Sequence, residues 1–198
     1  HSAQLAYELA ARRLSKWRVN NESLPVVPAL VRAGLLASVE LRARDSYETV
    51  LANAQTQWDV ELAADDSLLS AAMVRCCDAG WVHHASAINL TLSASGLTPS
   101  CEAANAWLLL LLRSGNHDGA IDAFLDMKQR GPRPDQTTHA LAARAAATRK
   151  STWSGLRNLM RRPKLKIKWN ALSANAALGA YISAGNLQAA AGVAGHMA

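Results

Sequence analysis

The chain has 198 residues, half of them hydrophobic and 18% charged, which is enough apolar content for one globular core or a short repeat array. Alanine and leucine dominate beside one Phe and three Tyr, so helix is favoured and an ordinary β-sandwich or doubly wound sheet is not expected. The formal net charge of +6 is unevenly spread: residues 136–198 hold nine Lys/Arg and no acid, whereas residues 1–135 hold 12 basic and 15 acidic residues, a local −3.

Eleven Gly and six Pro are too few for a collagen-like or disordered chain. The longest apolar run, residues 106–112, is far shorter than the roughly 20 residues that span a bilayer. Cys76, Cys77 and Cys101 cannot form a disulfide framework, which points to a reducing compartment. The chain opens on His1, not Met, so its own start is expected upstream.

In chain order, an N-terminal helical segment (1–30) with an amphipathic helix near 3–18 is expected first. A degenerate helical repeat (31–65) follows. Beyond it the sequence repeats itself. Ala79-Gly80-Trp81-Val82-His83-His84-Ala85, Ser114-Gly115-Asn116-His117-Asp118-Gly119-Ala120 and Ala184-Gly185-Asn186-Leu187-Gln188-Ala189-Ala190 lie at multiples of 35 residues. Gly96-Leu97-Thr98-Pro99-Ser100 and Gly131-Pro132-Arg133-Pro134-Asp135 share that spacing, as do Asn105 with Asn175 at twice it. The period marks units 66–100, 101–135, 136–170 and a shortened 171–198.

Each unit reads as two helices. In the clearest, the spacing predicts a helix over Glu102–Arg113, closed by Ser114-Gly115, and a second over Asp118–Arg130 with Ala120, Ile121, Phe124 and Met127 on one face. Gly131 and Pro134 end it. Small residues at Ala85, Ala120, Gly155 and Ala190 let paired helices approach closely. Units of this kind cannot bury their apolar faces alone, so the expected fold is all-α: a right-handed α-solenoid of stacked 35-residue helix-turn-helix repeats.

This pattern resembles the pentatricopeptide repeat: a Gly between the helices, an Ala early in the second, a Met near its end, then Gly-x-x-Pro-Asp. The stretch Asn105 to Asp135 carries the likeness best. The resemblance implies RNA binding, one base per repeat, read by the fifth and last residues of each unit. The matching pairs are Ser70 with Ser100, Asn105 with Asp135, and Ala140 with Asn170, while Asn175 stands without a partner. The Asn105/Asp135 combination is the one that, in the family, favours uridine. Arg113 matches a position where the family carries a basic residue facing phosphate.

Several residues depart from the pattern. Ala140 has no polar atom with which to read a base, Glu102 stands where an aliphatic residue is usual, and Lys150 replaces the expected Gly. The basic block Arg149, Lys150, Arg157, Arg161, Arg162, Lys164, Lys166 and Lys168 suits a polyanion partner, most simply RNA phosphate. A solvated basic face is the plainer alternative. Asp135 also reads as a helix N-cap, and Asn105 and Asn175 as links between repeats. The six tryptophans, among them Trp17, Trp58, Trp81 and Trp107, read first as packing residues and second as stacking platforms.

Adjacent Cys76-Cys77 and His83-His84 lack metal-ligand spacing, and no nucleophile elbow, phosphate loop or paired-carboxylate motif occurs. No enzyme activity, metal, cofactor or small-molecule substrate is therefore expected. The leading expectation is an RNA-binding repeat protein of organellar RNA metabolism or translation. The resemblance alone implies the mitochondrion, or less so the chloroplast. A place on a mitochondrial ribosome, holding rRNA beside other protein subunits, is one form of it. The alternative is a protein–protein interaction scaffold.

Overall fold

Helices are what this composition allows, and helices are what form. The computed structural model describes residues 8–10, 33–38, 41, 45, 66–150, 152–162 and 164–197, and among these there is no strand. The contacts divide the chain into two compact units, residues 1–99 and 100–198.

In the first unit the sequence places apolar residues one helical turn apart over α1 (Asp66–Ala79) and α2 (Val82–Ala94). Leu69, Ala72, Met73 and Cys76 form the buried stripe of α1, and Ala85, Ile88 and Leu92 that of α2. Residues 8–10 and 33–38 are helical too, with Ala10, Leu35 and Ala37 buried. The rest of the expected 1–30 and 31–65 segments, Trp17 and Trp58 included, lies outside the described residues. Cys76 and Cys77 are buried and not disulfide-bonded. Burial, with the neighbouring Cys76 and Asp78, pushes the Cys77 thiol up to about 12, so it packs as a small neutral hydrophobe.

The second unit contains three helical hairpins: α3 (Cys101–Arg113) with α4 (His117–Arg130), α5 (Gln136–Arg149) with α6 (Trp153–Met160), and α7 (Ala171–Ser183) with α8 (Leu187–Met197). The first helices pack in series, α3 on α5 and α5 on α7, as in an α-solenoid. The turn after α3 works because Gly115 sits at φ +77°, in the left-handed region open to glycine. There the Asn116 N–H donates to the Leu111 carbonyl at 2.9 Å and the Gly115 N–H to Leu112 at 3.2 Å, closing the last turn.

α5 is the central helix, and six of its 14 residues are alanine. Ala142, Ala143, Ala145, Ala146 and Ala147 are all buried, because α3, α4, α6 and α7 pack against this helix and methyl groups fit between the backbones, while Thr137, Arg144 and Thr148 stay exposed on one face. Its hairpin departs from the others. Lys150 cannot supply the left-handed turn and is extended (φ −120°, ψ 118°), and α6 has only 8 residues. The chain then continues through an irregular segment in which Leu165 and Ile167 are buried while Lys164, Lys166 and Lys168 are exposed. Lys166 lies at φ +40°, a conformation that costs about 1–2 kcal/mol for a side chain with Cβ. That turn is closed by the Lys166 N–H donating to Arg162 O at 2.9 Å, and it lets both apolar neighbours reach the core.

Candidate nucleic-acid interface

The residues that end each unit share one structural task. Ser100, Asp135 and Asn170 are the N-caps of α3, α5 and α7. Ser100 Oγ accepts from the Ala103 N–H at 3.1 Å, Asp135 Oδ1 from Thr138 at 2.7 Å, and Asn170 Oδ1 from Ser173 at 2.9 Å. A 35-residue period that finishes one residue before the next first helix forces this position to be a capping residue, which is why it is Ser, Asp or Asn. At Asp135 and Asn170 the box is reciprocal, with Thr138 Oγ1 and Ser173 Oγ accepting from the cap N–H.

Asn105 and Asp135 do meet. Asn105 Nδ2 donates toward both carboxylate oxygens of Asp135, at 3.3 and 3.2 Å, from one hairpin to the next. The buried Thr138 hydroxyl lies 2.7 Å from Asn105 Oδ1 and 2.8 Å from Asp135 Oδ1, so its single proton serves one of the two at a time. Burial raises the Asp135 pKa, but hydrogen bonds from the Thr138 backbone and hydroxyl, Asn105 and Cys101 outweigh it and hold the carboxyl below its ordinary value. For Cys101, burial and the Asp135 charge push the thiol upward. The pair is thus a fixed donor–acceptor edge held by its own hydrogen bonds.

The other fifth positions are unequal. Ser70 is buried in the first unit. Ala140 is also buried, whereas Asn175 is exposed. Ala140 and Asn175 line one groove between α5 and α7, with a volume of about 720 Å³, together with Thr137, Leu172 and Arg144. Arg144, nine residues into its unit and not among the expected phosphate contacts, is an exposed cation in that groove. Its signal was present: it is the one charged residue in the alanine run of α5. His117 borders the groove as well, and its buried Nδ1 has no hydrogen-bond partner among the described residues.

The basic block is divided. Arg149 pairs with Asp118 through Nε–Oδ1 at 2.7 Å, with both side chains well exposed, and Lys150 is the half-buried C-cap of α5. Arg113 is exposed at the end of α3. Arg157, Arg161, Arg162, Lys164, Lys166 and Lys168 are all exposed, and among the described residues none has a carboxylate partner. Lys128 Nζ donates to the carbonyls of Lys164 and Leu165, each at 2.8 Å, and stands 5.7 Å from the Phe124 ring centre. His139, buried against Phe124, accepts the Lys168 N–H on Nδ1 at 3.2 Å. Burial first, then the charges of Lys168 and Lys128, lower the His139 pKa against a smaller opposing effect of Asp135, which keeps that nitrogen an acceptor.

These hairpins, stacked first helix on first helix with a groove between α5 and α7, define an α-solenoid of short helical repeats. Its fold is that of pentatricopeptide repeat proteins. PPR10 in complex with an 18-nt psaJ RNA element is similar at 23% identity with a TM-score of 0.58, covering 98% of this chain and 26% of that one. PPR10 from maize gives 22% identity and a TM-score of 0.62 over 98% of this chain and 27% of that one. The chain thus spans about a quarter of the length of these structures. No family model and no curated protein matches the sequence. Among the described residues there is no cluster of three or more His, Cys, Asp or Glu able to hold a metal ion, and no helix long and apolar enough to cross a membrane.

Proposed function

We propose that this chain binds single-stranded RNA as a helical-repeat protein, holding the strand mainly by its phosphates and reading at most a base or two. The observation that carries it is the set of six exposed cations from Arg157 to Lys168 without a carboxylate partner among the described residues. A cationic face held on a rigid scaffold gains affinity by releasing counterions from a polyanion. The Asn105/Asp135 edge is the single well-formed place for base selection, and the likeness to PPR10 in complex with RNA supports that use.

Weak readout beside strong backbone binding suits a fixed place on a large ribonucleoprotein. An organellar ribosome, in the mitochondrion, is the form of the proposal we favour, with binding and not catalysis as the activity. The protein-scaffold reading has its own support in the exposed Leu172, Ile182 and Leu187 of the last hairpin.

The test is RNA binding by fluorescence anisotropy across a salt series, with parent and an R161Q/R162Q/K164Q/K166Q variant. Each phosphate contact on a single strand contributes about −0.7 to the slope of log K against log salt. The variant is expected to bind more weakly with a slope shallower by roughly 2–3. Equal binding and slope in the two proteins would overturn the proposal.

A further inference from the structure

Away from the groove, three aromatic rings gather on the second-helix side of the last two hairpins. The Trp153 and Trp169 ring centres are 5.0 Å apart, and His196 lies 5.3 Å from Trp153 and 6.1 Å from Trp169, all tilted by 47–48°. Both indoles are half-buried and His196 is exposed. The sequence holds ten aromatic residues of the Phe, Tyr and Trp types in all, so two Trp in contact from positions sixteen apart is a built feature.

The cluster is held in place from several directions. Tyr181 Oη donates to Thr152 O at 3.3 Å, fixing the start of α6 and with it Trp153. Gly192 of α8 gives way to that indole, since a Cβ there would stand 2.8 Å from Trp153 Cβ and 3.0 Å from Cγ. Trp169 is bracketed by Lys168, whose N–H goes to His139 and whose carbonyl accepts from Ser173 Oγ at 3.0 Å, and by the N-cap Asn170. The platform is therefore rigid before any ligand binds, and little ordering entropy is lost on contact.

Its flank is cationic. Arg157 follows Trp153 by one helical turn on α6, which puts the two side chains on one helix face, and it is exposed. Rings to stack on, with positive charge alongside, are the two requirements for holding one nucleotide of a single strand. We infer that Trp153, Trp169 and His196, with Arg157, form a second RNA contact outside the groove, which takes an unpaired base in stacking and its phosphate in ion pairing. The site rests on the RNA-binding proposal above and extends it. A strand held here crosses the outer face of the repeats and adds affinity without sequence preference, because every base has a stacking face.

The experiment compares an eight-nucleotide oligouridine with an abasic oligomer of the same length, on parent, Trp169→Leu and His196→Ala proteins. Helix content by circular dichroism confirms folding, and the surface position of His196 keeps that variant informative if Trp169→Leu unfolds. The parent is expected to prefer the base-bearing strand, with Trp169→Leu cutting that preference about tenfold and His196→Ala a few-fold. Affinity for the abasic strand and its salt dependence stay as in the parent. Unchanged preference in folded variants would overturn the outer site while leaving RNA binding intact. A parent that binds neither strand would overturn both proposals.

Discussion

Replacing Asp135 with alanine removes a group that does two jobs at once. It caps α5, and a lost acidic N-cap costs about 1 kcal/mol, within a range of roughly 0.5–2. It also accepts from Asn105 Nδ2, an exposed contact worth about 0.5–1 kcal/mol. The sum is about 2 kcal/mol, which for a chain of this length lowers Tm by roughly 4–8 °C. Asp135→Asn keeps the capping oxygen and should stay within about 1 kcal/mol of the parent. Thermal unfolding followed at 222 nm measures both.

The pH dependence supplies the second half of this prediction. The Asp135 carboxyl is held below its ordinary value in the folded chain, so its contribution to stability is present above the unfolded carboxyl pKa and is lost as pH falls through the folded one. Asp135→Asn should therefore show a shallower loss of Tm in that acidic range. An Asp135→Ala variant that melts within a degree of the parent, or an Asp135→Asn variant that falls just as far as Asp135→Ala, would refute the capping argument.

Two further outcomes rest on other contacts. His139 has its pKa lowered by burial and by the nearby Lys168 and Lys128 charges, so protonation is costlier folded than unfolded. Stability should rise with pH up to about 6.5 and then level, and His139→Gln should flatten that rise in urea titrations across pH. Gly192→Ala drives a Cβ into the rigid base of the Trp153 side chain and should cost about 1–3 kcal/mol. Gly195→Ala, three residues on with open space around it, should instead be neutral or stabilising by up to about 1 kcal/mol, as read from paired thermal melts.

What the sequence showed clearly was whatever repeats or has local cause. The apolar spacing of α3 and α4 and the glycine at Gly115 are short-range signals, and they led directly to helical hairpins. The shared capping role of Ser100, Asp135 and Asn170 was legible too, although noticed only for Asp135. Apart from the Asn105–Asp135 link, which the repeat pattern pointed to, contacts between hairpins were not legible, because nothing local encodes them. Asp118 pairs with Arg149 across 31 positions, Lys128 reaches the carbonyl of Lys164 across 36, and Trp153 meets His196 across 43. The burial of Ser70 and the groove position of Arg144 likewise depend on which face of each first helix its neighbours cover.

The basic segment shows why those distant contacts take the form they do. An irregular stretch with a left-handed lysine needs anchors, and an acidic side chain would be the strongest available for a cationic loop. A carboxylate there would also cancel the charge that the loop presents. No acid occurs after Asp135, and the segment is held instead by groups that leave its side-chain charges free. The Lys128 ammonium binds backbone carbonyls, the neutral His139 ring accepts a backbone N–H, and the Ser173 hydroxyl donates to the Lys168 carbonyl. Lys128 is itself a cation placed among cations, and burial together with repulsion from Lys166 lowers its pKa. The fold thus accepts electrostatic cost inside the segment while its positive charge stays outside, and it is this outward charge on which the proposed phosphate binding relies.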